Sequence, residues 1–180
     1  MNEVLARWNE APVEAAAAEI LPCCGSMVWA REMASRRPFQ DDSALIATSD
    51  DIWRSLSKPG WVEAFRSHPQ IGESRRGESR IGGSKAQSSS IASSAAWAME
   101  EQKKVADATD AIKIALMDGN REYEKKFGHI FIVCATGKSA TEMLEILKRR
   151  MYNDEETELR EAAEQQRQIT RIRLRKWLRE

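Results

Sequence analysis

The chain has 180 residues, and its 28 basic side chains balance its 28 acidic ones, so its formal net charge is zero. A balanced chain has no overall field that would attract nucleic acid or an anionic membrane surface. No apolar run approaches the ~20 residues that cross a bilayer, and residues 1–11 mix acidic and basic side chains, unlike a secretory signal. We therefore expect one soluble domain with its own core, and neither a membrane nor a nucleic acid as partner.

The cysteines and histidines indicate the compartment and the metal chemistry. Cys23 and Cys24 are neighbours and Cys134 stands alone, a pattern that favours reduced thiols in a cytoplasmic protein over a disulfide framework. With only two histidines and no paired cysteine spacing, we expect no metal site. Motifs for an organic cofactor are absent as well, so we expect a cofactor-independent protein.

Two helices are predicted in the first third of the chain. Residues 12–24 are apolar nearly all round, with Pro12 suited to the first turn and Gly25 to the stop, so this helix should be buried. Ser49 or Asp50 can cap a second, short helix that ends before the turn at 58–60.

A third helix is predicted from Trp61 to about His68. Trp61, Phe65 and His68 recur at helical spacing, which places His68 on the apolar face at the C-terminal end. Pro69 should stop this helix, because the residue before a proline avoids the α region. Residues 73–94 consist largely of Gly, Ser and Arg, and this composition predicts a long mobile loop.

The chain after this loop predicts a long helix and one ambiguous segment. The long helix should run from about residue 94 to 116 and stop at Gly119, and a short helix should follow at 123–127. Residues 129–135 (His-Ile-Phe-Ile-Val-Cys-Ala) read locally as a buried strand.

Two helices are predicted at the C-terminal end. Ser139 and Glu142 form a capping box for a helix at 140–151, whose apolar residues make one stripe. Asp154 can cap a final helix that runs to about residue 178.

Three polar side chains lie on apolar helical faces, and they are the chemical signal of the sequence. Besides His68, Glu101 lies one turn from Trp97, and Arg173 lies one turn from Trp177. A buried charge without a partner costs several kcal/mol, so each of these groups needs a hydrogen-bonding or charged partner in the protein, or a ligand.

The residues alone leave two interpretations of this set open. Glu101 and Arg173 could form a structural ion pair beside a satisfied core histidine. Alternatively, a histidine that transfers protons, a guanidinium that holds a carboxylate and a carboxylate that accepts from urea-like N–H groups would suit a small, anionic, nitrogen-rich substrate. The arginine-rich final helix could also bind nucleic acid, although its glutamates favour a solvated face.

Four segments, in one order along the chain, carry a resemblance to a known family. They are 67–73 (Ser-His-Pro-Gln-Ile-Gly-Glu), Glu101–Gln102, the run from Asn120 through Tyr123 and Phe127–Gly128 to Gly137, and 169–174 (Ile-Thr-Arg-Ile-Arg-Leu). These segments resemble signatures of the 2-oxo-4-hydroxy-4-carboxy-5-ureidoimidazoline (OHCU) decarboxylase family. The sequence also resembles the decarboxylase half of the plant bifunctional allantoin synthases.

The resemblance implies a site and a fold. The family's catalytic groups fall on His68, Glu101 and Arg173. Its substrate-binding positions fall on Pro69, Gln70, Ala98, Gln102, Phe131, Val133, Cys134, Ala135 and Gly137. At Ala98 the family usually carries a serine, and at His129 an aromatic residue. The family fold is a single compact all-α domain, which overrules the local strand reading and makes residues 129–135 extended chain that lines the pocket.

The resemblance also implies a function and partners. It indicates a cytoplasmic carboxy-lyase that decarboxylates OHCU to (S)-allantoin in urate degradation, with no cofactor. The implied assembly is a homodimer in functional association with urate oxidase and 5-hydroxyisourate hydrolase. The alternative is a non-catalytic ligand-binding or scaffold descendant, which the replacement of the serine at Ala98 favours.

Overall fold

A computed structural model describes residues 2–69, 97, 100 and 108–180, and the loop predicted at 73–94 lies outside these residues. The helices whose bounds are described are α1 (Glu3–Glu10), α2 (Val13–Cys24), α3 (Met27–Ser35), α4 (Asp42–Ser55), α5 (Lys58–Arg66), α6 (Asp110–Phe127), α7 (Ala140–Arg150) and α8 (Glu155–Trp177). The described ranges contain no strand, which confirms the all-α fold class. Within them, no helix is both long and apolar enough to cross a membrane.

Helix ends that depend on local chemistry lie where the sequence predicts them. Gly25 follows α2 in the left-handed conformation, with φ of 88°. The Ser139 side chain accepts from the Glu142 N–H, while Glu142 accepts from the Ser139 N–H, so the capping box of α7 is confirmed. Asp154 caps α8 through the Thr157 N–H.

The predicted boundaries of α4 and α5 were wrong. Helix α4 begins a full two turns before Ser49 and Asp50, because Asp41 caps it by accepting from the Ala44 N–H at 2.8 Å. Ser49 and Asp50 are buried inside the helix instead. Residues 58–60 open α5, where Pro59 in the first turn lacks only an N–H that would have no helical partner.

Gly119 does not end a helix, contrary to the prediction, and the predicted short helix at 123–127 is the end of α6. Gly119 lies inside α6 where α7 approaches closely, and a Cβ atom there would lie 2.9 Å from Leu147 Cδ2. The prediction of one helix over 94–116 was also wrong, because a new helix, α6, begins within that range with Thr109 as its N-cap.

The segment 129–135 is irregular chain and not a strand, so the local strand reading was wrong and the all-α family fold was the better guide. Phe131, Val133 and Ala135 pack into a hydrophobic cluster with α6 and α7. Ile132 and Cys134 pack into the larger cluster formed by α1 to α5 and α8. This alternation between two buried sides produces the strand-like pattern.

Helix α8 is the helix against which several of the others pack. It packs against α2, α4 and α5, while α2 also packs against α3, and α6 packs against α7. The indole Nε1 of Trp53 donates to the Ala163 carbonyl oxygen at 2.9 Å, which ties α4 to α8. The Asn2 side chain donates to the Leu178 carbonyl oxygen at 2.7 Å, so α1 and the end of α8 lie together.

Candidate functional site

The last turn of α2 offers carbonyl oxygens that have no helical partner, as every helix end does. Arg173 Nη1 donates to the Pro22 carbonyl oxygen at 3.3 Å. Gln166 Nε2 donates to the Cys24 carbonyl oxygen, also at 3.3 Å. Both donors come from α8, so the end of α2 positions two polar side chains of the last helix.

Arg173 is a buried cation, with only 1% of its surface exposed. The partial negative charge at the C-terminal end of α2 stabilises a cation placed there. Its neighbours Cys23 and Cys24 do not ionise to neutralise it, because burial raises the pKa of Cys24 to about 12 and raises that of Cys23 further. A guanidinium in this setting suits an anionic ligand.

His68 lies just beyond the end of α5, where its N–H donates to the Phe65 carbonyl oxygen at 3.1 Å. The residue is half-buried, but its Nε2 atom is fully buried. Burial, and then the positive charge of Arg173, lowers the pKa of His68 from 6.5 to about 3. The imidazole is therefore neutral at pH 7 and can accept a proton.

Gly25 allows α2 to approach the residue that precedes His68. A Cβ atom at Gly25 would lie 2.1 Å from Ser67 Oγ and 2.5 Å from Ser67 Cβ. Ser67 cannot easily turn away, because its Oγ donates to the Ala64 carbonyl oxygen at 2.7 Å. The contact between Gly25 and Ser67 therefore sets the distance between the end of α2, which holds Arg173, and the end of α5, which carries His68.

The structure brings His68 and Arg173 together, and Pro69 follows His68 directly. The other predicted catalytic residue, Glu101, lies outside the described residues, as do Gln70, Ala98 and Gln102. The neighbours of Glu101 are described: Lys176 lies over the Trp97 ring at 5.9 Å and pairs with Glu100. The chain beside Glu101 thus lies against α8, one turn after Arg173.

The predicted substrate-binding residues of the segment 131–137 differ in their surroundings. The Cys134 N–H donates to Gln165 Oε1 of α8 at 2.9 Å, next in sequence to Gln166. Phe131 instead packs its ring against Tyr123 and beneath the Arg150 guanidinium. Val133 and Ala135 are buried in the same cluster, and Gly137 is exposed with φ of 84°.

A second buried polar cluster supports this segment, and sequence reasoning missed it. Arg150 Nη2 pairs with Glu158 Oε1 at 2.6 Å, and Tyr123 also donates to Glu158. Arg150 Nη1 donates to the Ile132 carbonyl oxygen at 2.7 Å. The cluster joins α6, α7 and α8 to the extended segment, so it holds the backbone of that segment in place.

Gln166 was also missed. It is fully buried on α8, and with Thr170 and Arg173 it recurs at the i, i+4, i+7 spacing of one helical face. That spacing was the available signal. For metals, the described ranges contain no group of three His, Cys, Asp or Glu side chains that could hold an ion.

The motifs agree with a comparison against known families: the OHCU decarboxylase family matches residues 9–175. The chain belongs to the OHCU decarboxylase family. In Arabidopsis thaliana, the uric acid degradation bifunctional protein TTL is 36% identical over 159 residues, which cover 86% of this chain and 44% of that protein. The uric acid degradation bifunctional protein of Bacillus sp. (strain TB-90) is 24% identical over 155 residues, which cover 84% of this chain and 28% of that protein. This family member therefore spans less than half the length of these relatives.

Solved structures show the same fold. A crystal structure of OHCU decarboxylase in the presence of (S)-allantoin matches with a TM-score of 0.74 and 33% identity, over 91% of this chain and 99% of that one. A crystal structure of (S)-allantoin synthase matches with a TM-score of 0.68, over 96% of this chain and 53% of that one. At 18% identity the second match supports the fold alone.

Proposed function

We propose that this chain decarboxylates OHCU to (S)-allantoin in urate degradation. The observation that carries the proposal is a neutral, half-buried His68 beside the buried cation Arg173, in a chain of this family. The match over almost the full length of a solved OHCU decarboxylase supports it. An anionic carboxy substrate would meet one fixed positive charge and one neutral base.

The chemistry of the substrate needs no cofactor to receive electrons. The carboxylate is on a carbon that also bears a hydroxyl, next to a ring carbon doubly bonded to nitrogen. Carbon dioxide leaves as the carbon–carbon bond breaks, and the bonding electrons move toward that nitrogen, which takes up a proton. The hydroxyl then loses its proton as it becomes a carbonyl, and the neighbouring carbon gains a proton on one face. One proton is consumed overall, balancing the charge of the carboxylate.

Each side chain has a role that suits its state. Arg173 and Glu101 fix the heterocycle and its ureido arm through charge-assisted hydrogen bonds. His68 orients the hydroxyl and the carboxylate and accepts the hydroxyl proton, since a neutral imidazole is a base. Glu101 remains a proposal that rests on the family motif. The predicted lining residues are Pro69, Gln70, Ala98, Gln102, Phe131, Val133, Cys134, Ala135 and Gly137.

The partners and compartment follow from the same proposal. A cytoplasmic homodimer would receive OHCU after urate oxidase and 5-hydroxyisourate hydrolase have acted on urate. The relative from Arabidopsis thaliana is named a uric acid degradation bifunctional protein, which supports such an association.

The deciding experiment follows the chirality of the product. Urate oxidase and 5-hydroxyisourate hydrolase generate OHCU from urate in situ, the protein is added, and circular dichroism records the allantoin formed. We expect rapid appearance of the (S)-enantiomer. Racemic allantoin at the rate seen without the protein would contradict the proposal, and saturable ligand binding without turnover would favour the non-catalytic alternative.

A further inference from the structure

Gln166 lies on α8, and its amide is held in one orientation. Its Nε2 donates to the Cys24 carbonyl oxygen and to Thr170 Oγ1, each at 3.3 Å. A backbone carbonyl can only accept a hydrogen bond, so the amide must present its NH₂ group to Cys24. Its Oε1 is therefore fixed as an acceptor on the other side of the amide.

The amide oxygen of Gln166 and the Nε2 atom of His68 are both buried, and one can accept the hydrogen bond that the other can donate. Among the residues that the structure describes, neither Gln166 Oε1 nor His68 Nε2 has a hydrogen-bond partner within normal geometry. The two side chains nevertheless lie near each other, since the Gln166 side chain opposes the fall in the pKa of His68, although their geometry falls short of a full hydrogen bond. Leaving both atoms without a partner is costly, and a hydrogen bond between them would satisfy both.

Because the imidazole of His68 is neutral, its tautomer is the property that remains to be determined. Burial, and then the positive charge of Arg173, keeps the ring neutral. A neutral imidazole carries its proton on one nitrogen and a lone pair on the other. The hydrogen bond made by one nitrogen sets the state of the second.

We propose that Gln166 is a positioning residue: its Oε1 accepts a hydrogen bond from Nε2–H of His68 and holds the imidazole in that tautomer. The Nδ1 lone pair then faces the site, where it accepts the hydroxyl proton of the substrate. The role in proton transfer rests on the proposed function, whereas the hydrogen bond does not.

The hydrogen bond is tested by ¹⁵N NMR of protein labelled at histidine, because protonated and unprotonated ring nitrogens resonate apart. His129 serves as an internal reference. Its Nδ1 lies 3.0 Å from the Ile130 carbonyl oxygen, which can only accept, so His129 holds the opposite tautomer. We expect His68 to be protonated on Nε2 in the wild-type protein.

Gln166→Met removes the acceptor while keeping a side chain of similar length. We expect a mixture of His68 tautomers and a fall in kcat of roughly 10- to 100-fold, by analogy with the loss when the outer hydrogen-bond partner of a metal-ligating histidine is removed. KM should stay nearly constant, because Gln166 does not contact the substrate. Gln168→Met is the matched control, since Gln168 bonds only to Glu164 on its own helix in the described structure. It should leave tautomer and kcat unchanged.

Gln166→Glu separates positioning from a merely structural role. It keeps an acceptor for His68 but loses the donor to Cys24. We expect the Nε2–H tautomer to persist and His68 to titrate at higher pH than in the wild type, because a facing carboxylate stabilises the imidazolium. This variant also carries the test if Gln166→Met does not fold.

Three results would overturn the proposal. One is a wild-type His68 that carries its proton on Nδ1, and another is an unchanged His68 titration in Gln166→Glu. The third is a raised KM at constant kcat in Gln166→Met, which would put Gln166 on the substrate. The NMR measurement needs no turnover, so a protein that holds the tautomer but forms no allantoin would defeat the proposed function alone.

Discussion

The protonation state of His68 follows from its position in the fold, where it is partly buried beside Arg173. Burial, and to a lesser extent the charge of Arg173, lowers the pKa of His68 from its ordinary value of 6.5 to about 3. An anionic substrate would offset the charge of Arg173 and raise that pKa, so binding itself would make the imidazole a stronger base. In the proposed mechanism, Arg173 would thus bind the substrate and, together with burial, keep His68 unprotonated until the substrate arrives.

Replacing His68 by Asn removes the base and keeps a small polar side chain. We expect kcat to fall by roughly 10²- to 10⁴-fold, the usual contribution of a general base, with little change in thermal stability because the residue lies beyond the end of α5. Circular dichroism of the allantoin formed gives the rate. Turnover near that of the wild type would remove His68 from the mechanism.

The lowered pKa of His68 also makes stability depend on pH. Between pH 6.5 and about 3 the unfolded chain binds a proton at this position and the folded chain does not. Acidification through this window therefore favours unfolding, and stability is retained above it. We expect the unfolding midpoint of the wild type to fall more than that of His68→Asn between pH 7 and pH 5. Parallel changes in the two proteins would show that His68 is not buried in its neutral form.

At the scale of helices, a further prediction concerns the contact between α2 and α5. Gly25→Ala places a Cβ atom 2.1 Å from Ser67 Oγ at a residue with φ of 88°. We expect a loss of stability beyond the roughly 1–2 kcal/mol that the left-handed conformation costs an L-residue, and a fall in kcat because the residue next to His68 must move. Denaturant unfolding and the turnover assay measure the two effects.

Gly128→Ala is the matched control for that change. Gly128 also has positive φ, 72°, but nothing lies within 4 Å of the position of its Cβ. It should show the backbone cost alone. Equal effects of the two substitutions would mean that the close approach of α2 to Ser67 has no role in the site.

The helix boundaries show what the sequence could predict. Gly25, the Ser139–Glu142 box and the Asp154 cap act within one turn, so their signals are local. Asp50 resembles a cap, but its carboxylate pairs with Arg167 at 2.7 Å across 117 positions of sequence. Local patterns do not contain such a partner.

The same distinction applies to the site. His68 and Arg173 were predictable because a charged or titratable residue on an apolar helical face disturbs the periodicity. Gln166 does not stand out, since glutamine is common on exposed faces. Its role depends on a carbonyl oxygen 142 positions earlier, at Cys24.

At the scale of the whole molecule, the cluster around Arg150 and Glu158 joins the two hydrophobic clusters. Arg150 and Glu158 have 1% and 0% of their side chains exposed. Tyr123 adds a hydrogen bond to Glu158, and burial raises the pKa of that tyrosine, so it remains a donor. The cluster lies where α6, α7 and α8 meet the segment that is predicted to line the site.

Arg150→Met should destabilise the protein by roughly 3–5 kcal/mol, because Glu158 would be left as a buried charge without its cation. Arg160→Met is the control: Arg160 pairs with Glu156, but both are exposed, so the change should stay within roughly 1 kcal/mol. Urea unfolding of both variants measures the difference. Similar small losses would contradict the view that the Arg150–Glu158 pair is a major source of stability.

The dependence of α2 on α8 has a consequence for biosynthesis. Pro22 and Arg173 are 151 positions apart. At a ribosomal speed of roughly 5–20 residues per second, about 8–30 s pass between their appearances. Until α8 is made, α2, α4 and α5 lack the helix against which they pack, and the carbonyl oxygens at the end of α2 lack their donors. The apolar surface left exposed during translation would bind chaperones, and an arrested polypeptide lacking α8 would contain His68 without the arginine that helps to lower its pKa.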